Sequence, residues 1–216
     1  MTSYIEPLAQ ESTPSIIADK LRRAIAHGEL KPGAQLAEAE LARQLGVSRG
    51  PLREGMQRLT QEGLLVSIRN RGLFVIDMTL GEIRDMYLAR AAIERAAASK
   101  IVADGNHETA GKELLTLVRK MSDAEGDPAA VGEIDIAFHE LLVQLAASPR
   151  LSRIHKTLIT ETRMCIQALE ATYSGAEARV AEHQHIAEAI TAGDHLLADD
   201  LLVAHMEDAI TRLTSR

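Results

Sequence analysis

From Thr79 onward the sequence has one rhythm. Apolar residues recur every three or four positions, and only short breaks interrupt them: Gly105-Asn106, Gly126-Asp127-Pro128, Ser148-Pro149, Ser174-Gly175 and Gly193-Asp194. That pattern leaves no room for a sheet. It predicts helices near 79–102, 108–124, 128–147, 150–173, 176–192 and 195–214. Helices joined by so few residues fold back on their neighbours, so the expectation is an antiparallel six-helix bundle. Thr79 with Glu82 forms a capping-box signature, and Asp127 and Asp194 stand where N-caps are needed. A single cysteine, Cys165, excludes an intrachain disulfide and any Cys-based zinc module. No apolar run approaches the roughly 20 residues of a membrane span. Met1–Gln10 lacks a basic stretch leading into an apolar core, so no secretory signal is expected and the cytoplasm is the expected location.

The first 77 residues read differently. Thr13-Pro14 looks like an N-cap with proline in the first helical turn, and Ile17, Leu21 and Ile25 then mark one helix face up to Gly28. Glu38–Leu45 reads as a short second helix with Leu41 and Leu45 inward. Gly46-Val47-Ser48 breaks it, and Ser48 is placed to cap a third helix with Leu52, Met56 and Leu59 inside. Two extended runs, 64–69 and 73–77, flank Asn70-Arg71-Gly72, a hairpin turn whose glycine supplies a positive φ. Helix, short helix, tight turn, helix and hairpin is the order of a winged helix-turn-helix. The overall expectation is a mainly α chain: a winged helix-turn-helix over residues 1–77, then the bundle over 78–216.

Charge divides at the same place. The net charge of −7 hides a front third of +1 and a remainder of −8. Between 43 and 71 there are six arginines against Glu54 and Glu62. Such asymmetry suggests a nucleic-acid-facing segment attached to an acidic domain. Recognition helices present their N-terminal residues to base edges, which points to Ser48, Arg49 and Arg53 at the major groove. Arginine's fork of donors matches guanine or phosphate. Arg71 and Gly72 sit at the wing tip, where Arg71 reaches the minor groove or the backbone, and Arg43 and Arg69 suit phosphate. The competing reading is a solvated basic helix face in an unrelated small domain. Aromatic residues are too few for a single-strand stacking platform.

Seven of the eight histidines lie beyond residue 100. Asp135 and His139 are four apart and share a face with Phe138 and Leu142. His183 is in phase with Ile186 and Ile190, and His205 with Leu202 and Ala209. His185 falls about 200° round from His183 and faces elsewhere. One carboxylate and three imidazoles thus lie on apolar faces of three helices, and buried polar groups need partners. A divalent cation satisfies all four; zinc is the first choice, and the spacing leaves nickel, manganese and iron open. Hydrogen-bonded core histidines are the alternative. His27, His107, His155 and His195 read as surface or capping residues.

The stretch "LAEAELARQLGVSRGPLREGMQRLTQEGLL" followed by "NRGLFV" resembles the DNA-binding domain of the GntR family of bacterial transcription regulators. Gly50 and Gly55 depart from the usual Thr and Ala, and Gly55 inside a helix costs up to about 1 kcal/mol against Ala. Ala39 lacks the arginine some members carry. "EIRDMYLARAAIERAAA", "DIAFHELLVQLAASPRL", "EHQHIAEAITAGD" and His205 look like the FCD effector domain of the FadR branch. The length of this second region is similar to the shorter, VanR-like subgroup.

The resemblance implies a homodimer on double-stranded operator DNA with roughly palindromic half-sites, and a small carboxylate effector beside a metal held by Asp135, His139, His183 and His205. It implies that Arg90 assists the effector, with Arg163 a weaker candidate. From the residues alone, Arg90 and Glu94 equally form an ion pair. A helical metalloenzyme built on the same His3Asp set is the rival function; Glu182 with His185 supplies one E-x-x-H, short of the pair a di-iron bundle needs.

Overall fold

The computed structural model describes residues 12–170 and 176–214. Its internal contacts divide between Asp77 and Met78 into two compact units.

In the first unit α1 spans Thr13–Ala26, α2 Glu38–Leu45 and α3 Arg49–Gln61, followed by β1 Leu65–Ile68 and β2 Gly72–Val75. The N-cap of α1 is Ser12, one residue before the expected Thr13. Ser12 stays extended while its carbonyl accepts from Ser15 and Ile16, so Thr13 is already helical. Ile17, Leu21 and Ile25 are buried as their spacing predicts. In α2 the buried residue is Ala42, whereas Leu41 and Leu45 are only half-buried. Gly46 ends that helix in the left-handed region, at φ 65°.

Leu52, Met56 and Leu59 of α3 are fully buried. Gly55 lies on the same face, and a Cβ there would stand 2.9 Å from Ile17 Cγ2 and 3.0 Å from the Pro14 carbonyl. The glycine is therefore a packing requirement between α1 and α3. Arg22 ties the same two helices by bonding Asp19 and, at 2.8 Å, Glu62. The strands pair antiparallel, Leu65 opposite Val75 and Ile68 opposite Gly72. Asn70 shares the left-handed turn conformation with Gly72.

In the second unit α4 spans Leu80–Ala103, α5 His107–Asp123, α6 Pro128–Leu145, α7 Pro149–Glu170, α8 Glu177–Thr191 and α9 His195–Thr214. These are the six helices expected; the Ser174-Gly175 break lies outside the described residues. Thr79 and Glu82 form the capping box, and Asp127 and Asp194 accept from Ala130 and Leu197. One core cluster joins α4, α5, α6, α8 and α9 through residues such as Ile101, Leu114, Phe138, Ile186 and Leu202. A second joins α4, α6, α7 and α9 through Tyr87, Ile136, Ile159 and Met206. Between the two, α4, α6, α8 and α9 carry polar residues on inward faces.

Candidate functional site

Asp135 and His139 lie one turn apart on α6, His183 on α8 and His205 on α9, and all four are buried. One ligand-type atom from each lies within 4.8 Å of every other. His139 Nε2 is 3.2 Å from Nε2 of both His183 and His205. Asp135 Oδ1 lies 3.3 Å from His139 Nε2 and 3.4 Å from His183 Nε2.

The opposite ring nitrogens explain this convergence. His139 Nδ1 donates to Glu94 Oε2 at 2.6 Å, His183 Nδ1 to the Arg179 carbonyl at 2.7 Å, and His205 Nδ1 to Glu182 Oε2 at 2.8 Å. Carboxylates and carbonyls only accept, so each Nδ1 carries the proton and each Nε2 presents a lone pair inward. Lone pairs facing one another at 3.2 Å repel unless a cation lies between them. A tetrahedral ion with bonds of about 2.05 Å separates its ligands by about 3.3 Å. The donor set, its tautomers and its spacing fit a divalent cation.

The surrounding electrostatics favour positive charge at this centre. Burial pushes His205 down to about 4, with His183 and His139 adding to the effect and Glu182 opposing it, which keeps the ring neutral and ligand-competent. Burial works against the Asp135 carboxylate, but positive charge at His183 and His139 and the bonds they donate outweigh it and hold Asp135 well below the usual carboxylate range. Burial and Arg90 work against a proton on His139, yet Glu94 and Asp135 raise it, so a proton on Nε2 stands where a cation would.

Arg90 is buried on α4, one helical turn from Glu94. Its Nε donates to Glu94 Oε1 at 2.7 Å and its guanidinium lies 5.6 Å from the centre of the Tyr87 ring. One terminal nitrogen, Nη2, is buried without a hydrogen-bond partner. Arg163 on α7 leans toward Glu133 and Glu140 at 3.4 and 3.7 Å, and its buried Nε also lacks a partner.

His155 corrects the expectation of a surface residue. It is buried on α7, and its Nε2 lies 3.1 Å from Glu94 Oε1. The missed signal was phase: His155, Ile159, Thr162 and Ile166 form one inward stripe. Glu182 was legible only as part of an E-x-x-H, and its partner His185 is exposed. His27 and His107 bond the carbonyls of Arg23 and Thr191 at helix ends, as capping residues do. His195 is exposed.

In the first unit Arg43, Ser48, Arg49, Arg53, Arg69, Arg71 and Gly72 are all exposed. Ser48 occupies the N-cap of α3, but its hydroxyl makes no capping bond. Arg53 rests on Glu38 at 2.7 Å and Arg43 on Glu40 at 2.5 Å. The Arg71 guanidinium stands 5.3 Å over the Phe74 ring, while Gln35 holds the Arg71 carbonyl. No helix among the described residues is long and apolar enough to cross a membrane.

Residues 15–75 match the family "Bacterial regulatory proteins, gntR family", and residues 85–208 match the FCD domain. An HTH-type transcriptional regulator from the TAR-I ttuE-ttuC' intergenic region of Agrobacterium vitis is 35% identical over 59% of this chain and 77% of its own length. A protein of Paenarthrobacter nicotinovorans named "Probable D-xylose utilization operon transcriptional repressor" is 29% identical over 95% of this chain and 91% of its own. The crystal structure of a GntR transcriptional regulator from Rhodococcus sp. RHA1 superposes with a TM-score of 0.75 at 27% identity, covering 95% of this chain and 99% of that one. Both matched domains are those of regulators, which displaces the metalloenzyme reading. A helix-turn-helix with exposed arginines, a bundle with a buried His3Asp cluster and these matches lead to one assignment: the chain belongs to the GntR family of bacterial transcription regulators, in the branch that carries an FCD domain.

Proposed function

We propose that this regulator is a repressor, that it binds a two-fold operator as a homodimer, and that a small carboxylate modulates its grip. Residues 1–77 form the DNA-binding domain and 78–216 the effector domain. Ser48, Arg49 and Arg53 meet the major groove, Arg71 and Gly72 form the wing contact, and Arg43 and Arg69 pair with phosphate. The Arg53–Glu38 and Arg43–Glu40 pairs are solvent-exposed and so weakly held that phosphate can displace their carboxylates. The relative from P. nicotinovorans, a repressor by name, supports the sign of regulation.

Asp135, His139, His183 and His205 hold a divalent cation, zinc first among the candidates. The observation that carries this reading is the convergence of three Nε2 lone pairs, each fixed by a bond on the far side of its ring. The bound cation supplies positive charge to an anionic ligand. Arg90 Nη2 and Arg163 Nε, both buried and unsatisfied, supply donors for a carboxylate. An effector that prefers the DNA-free arrangement of the domains weakens DNA binding, and DNA weakens effector binding by the same factor.

Two measurements test this. Elemental analysis of the purified protein is expected to find about one divalent ion per chain in the native form and none in a His139→Ala, His183→Ala double variant; equal occupancy overturns the ligand set. A gel-shift titration is expected to show specific duplex binding lost in Arg49→Ala, and an unchanged affinity overturns the DNA role of that residue.

A further inference from the structure

Glu94 faces away from the inward lone pairs, yet it receives three donors. Oε1 accepts from Arg90 Nε at 2.7 Å and from His155 Nε2 at 3.1 Å, and Oε2 accepts from His139 Nδ1 at 2.6 Å. The carboxylate is fully buried, and so are its three partners. A purely structural ion pair needs only Arg90. The two imidazoles come from different helices, α6 and α7, and only one of them belongs to the His3Asp cluster.

We infer that Glu94 is a positioning residue for the metal centre, and that His155 positions Glu94. This inference rests on the metal reading above. Glu94 locks His139 in the tautomer with a proton on Nδ1 and a lone pair on Nε2, the only neutral form that ligates inward. His155 prevents the carboxylate from turning away from His139, because it occupies the same oxygen as Arg90. Arg90 also carries the spare donor assigned to the anion, so one carboxylate links the anion-facing arginine to a metal-facing histidine. His155 also lines a cleft of about 320 Å³ between α6 and α7, with Glu140, Gln144, Ser152 and Lys156. The positioning chain therefore runs from that cleft through Glu94 to His139.

Replacement by glutamine shows why the charge matters. A carboxylate accepts from all three donors at once. An amide offers one acceptor and one NH2 group, so at least one of Arg90, His139 and His155 then meets a donor. Where the NH2 faces His139, the ring must accept on Nδ1 and carry its proton on Nε2, which blocks ligation.

The test measures Zn²⁺ affinity of the full chain by competition with a chelator, and records the visible spectrum of the Co²⁺-loaded protein. Glu94→Gln is expected to weaken Zn²⁺ by about 10- to 100-fold, the usual effect of removing a partner of a ligating histidine. It is also expected to alter the Co²⁺ spectrum. His155→Phe, which leaves all four ligands in place, is expected to weaken Zn²⁺ by roughly three- to tenfold, the scale of one lost hydrogen bond. His155→Gln, which keeps a donor, is expected to restore native affinity. In the Glu94→Gln background His155→Phe is expected to add nothing.

Should Glu94→Gln fail to fold, the Phe and Gln variants of His155 decide the matter alone. Native Zn²⁺ affinity in His155→Phe, with only a lowered melting temperature, reduces His155 to core packing and overturns the inference. Native affinity in a folded Glu94→Gln overturns it while leaving the metal reading intact. Failure of the native protein to bind either ion overturns both.

Discussion

The two halves of this chain handle charge in opposite ways. The helix-turn-helix keeps every arginine but Arg22 outside, over an apolar core of Ile17, Leu21, Leu52, Met56 and Leu59. The bundle takes Arg90, Glu94, Asp135, His139, His183 and His205 inside. An exposed ion pair such as Arg53–Glu38 is worth at most about 1 kcal/mol and exchanges readily with solvent or phosphate. Breaking a buried pair such as Arg90–Glu94 costs about 3–5 kcal/mol, because the remaining charge is stranded. Exposed charge makes a surface that waits for a partner; buried charge makes a site whose geometry is set before any ligand arrives.

The strongest way to break the contrast is to remove a buried ligand. His183→Ala is expected to lower Zn²⁺ affinity by more than about 100-fold, since it deletes one of four inward donors. Isothermal titration with Zn²⁺ reads the change, and the same variant should leave the α1–α3 unit folded. The matching exposed change, Arg49→Ala, is expected to cost about 1–3 kcal/mol of operator binding with no loss of metal or of fold. Fluorescence anisotropy on duplex DNA checks it, and a loss of thermal stability instead would show that the arginine is structural.

Packing sharpens the comparison further. Intrinsic propensity predicts that Gly55→Ala stabilises α3 by up to about 1 kcal/mol. The contacts with Ile17 and Pro14 reverse that sign, and the net expectation is a loss of about 1 kcal/mol, read by chemical denaturation and by hydrogen exchange in α1 and α3. The bundle uses the same device: a Cβ on Gly111 would come within 2.8 Å of Thr191 Cα, which draws α5 against α8.

The smallest expected effect concerns pH. Burial, with Glu82 adding to it, pushes the Glu161 carboxyl up to about 7. The folded state then binds more protons than the unfolded one between roughly pH 4.5 and 7. Its contribution is fully present below that window and is lost as pH rises through it. Glu161→Gln should flatten the fall in melting temperature between pH 5 and 8, and an unchanged slope would remove Glu161 as its source.

Much of the candidate site was legible before the fold. The phase of His139, His183 and His205 along their helices was enough to place each on an inward face, because an amphipathic helix can bury only one stripe. The same reasoning, applied to His155 beside Ile159 and Ile166, identifies that histidine too. The Arg90–Glu94 ion pair was legible from its i, i+4 spacing, but the bonds of Glu94 to His139 and His155 and the role of Glu182 were not, since nothing local marks which partner a buried carboxylate will meet. Leu41 and Leu45 were misread for a related reason. A short helix at the edge of a unit buries only the face its neighbours cover, and in α2 the buried residue is Ala42.

Local chemistry alone determined where helices begin and stop, which faces are apolar and which family the chain resembles, because periodicity, caps and turn residues act within a few positions of one another. Tertiary structure alone decided which nitrogen of each histidine points inward, that Gly55 is required, and that His155, Glu94 and His139 form one chain. Apart from the Arg179 carbonyl that orients His183 within one turn, those facts depend on groups distant in sequence meeting at about 3 Å, and no local pattern encodes which partner a buried side chain will find.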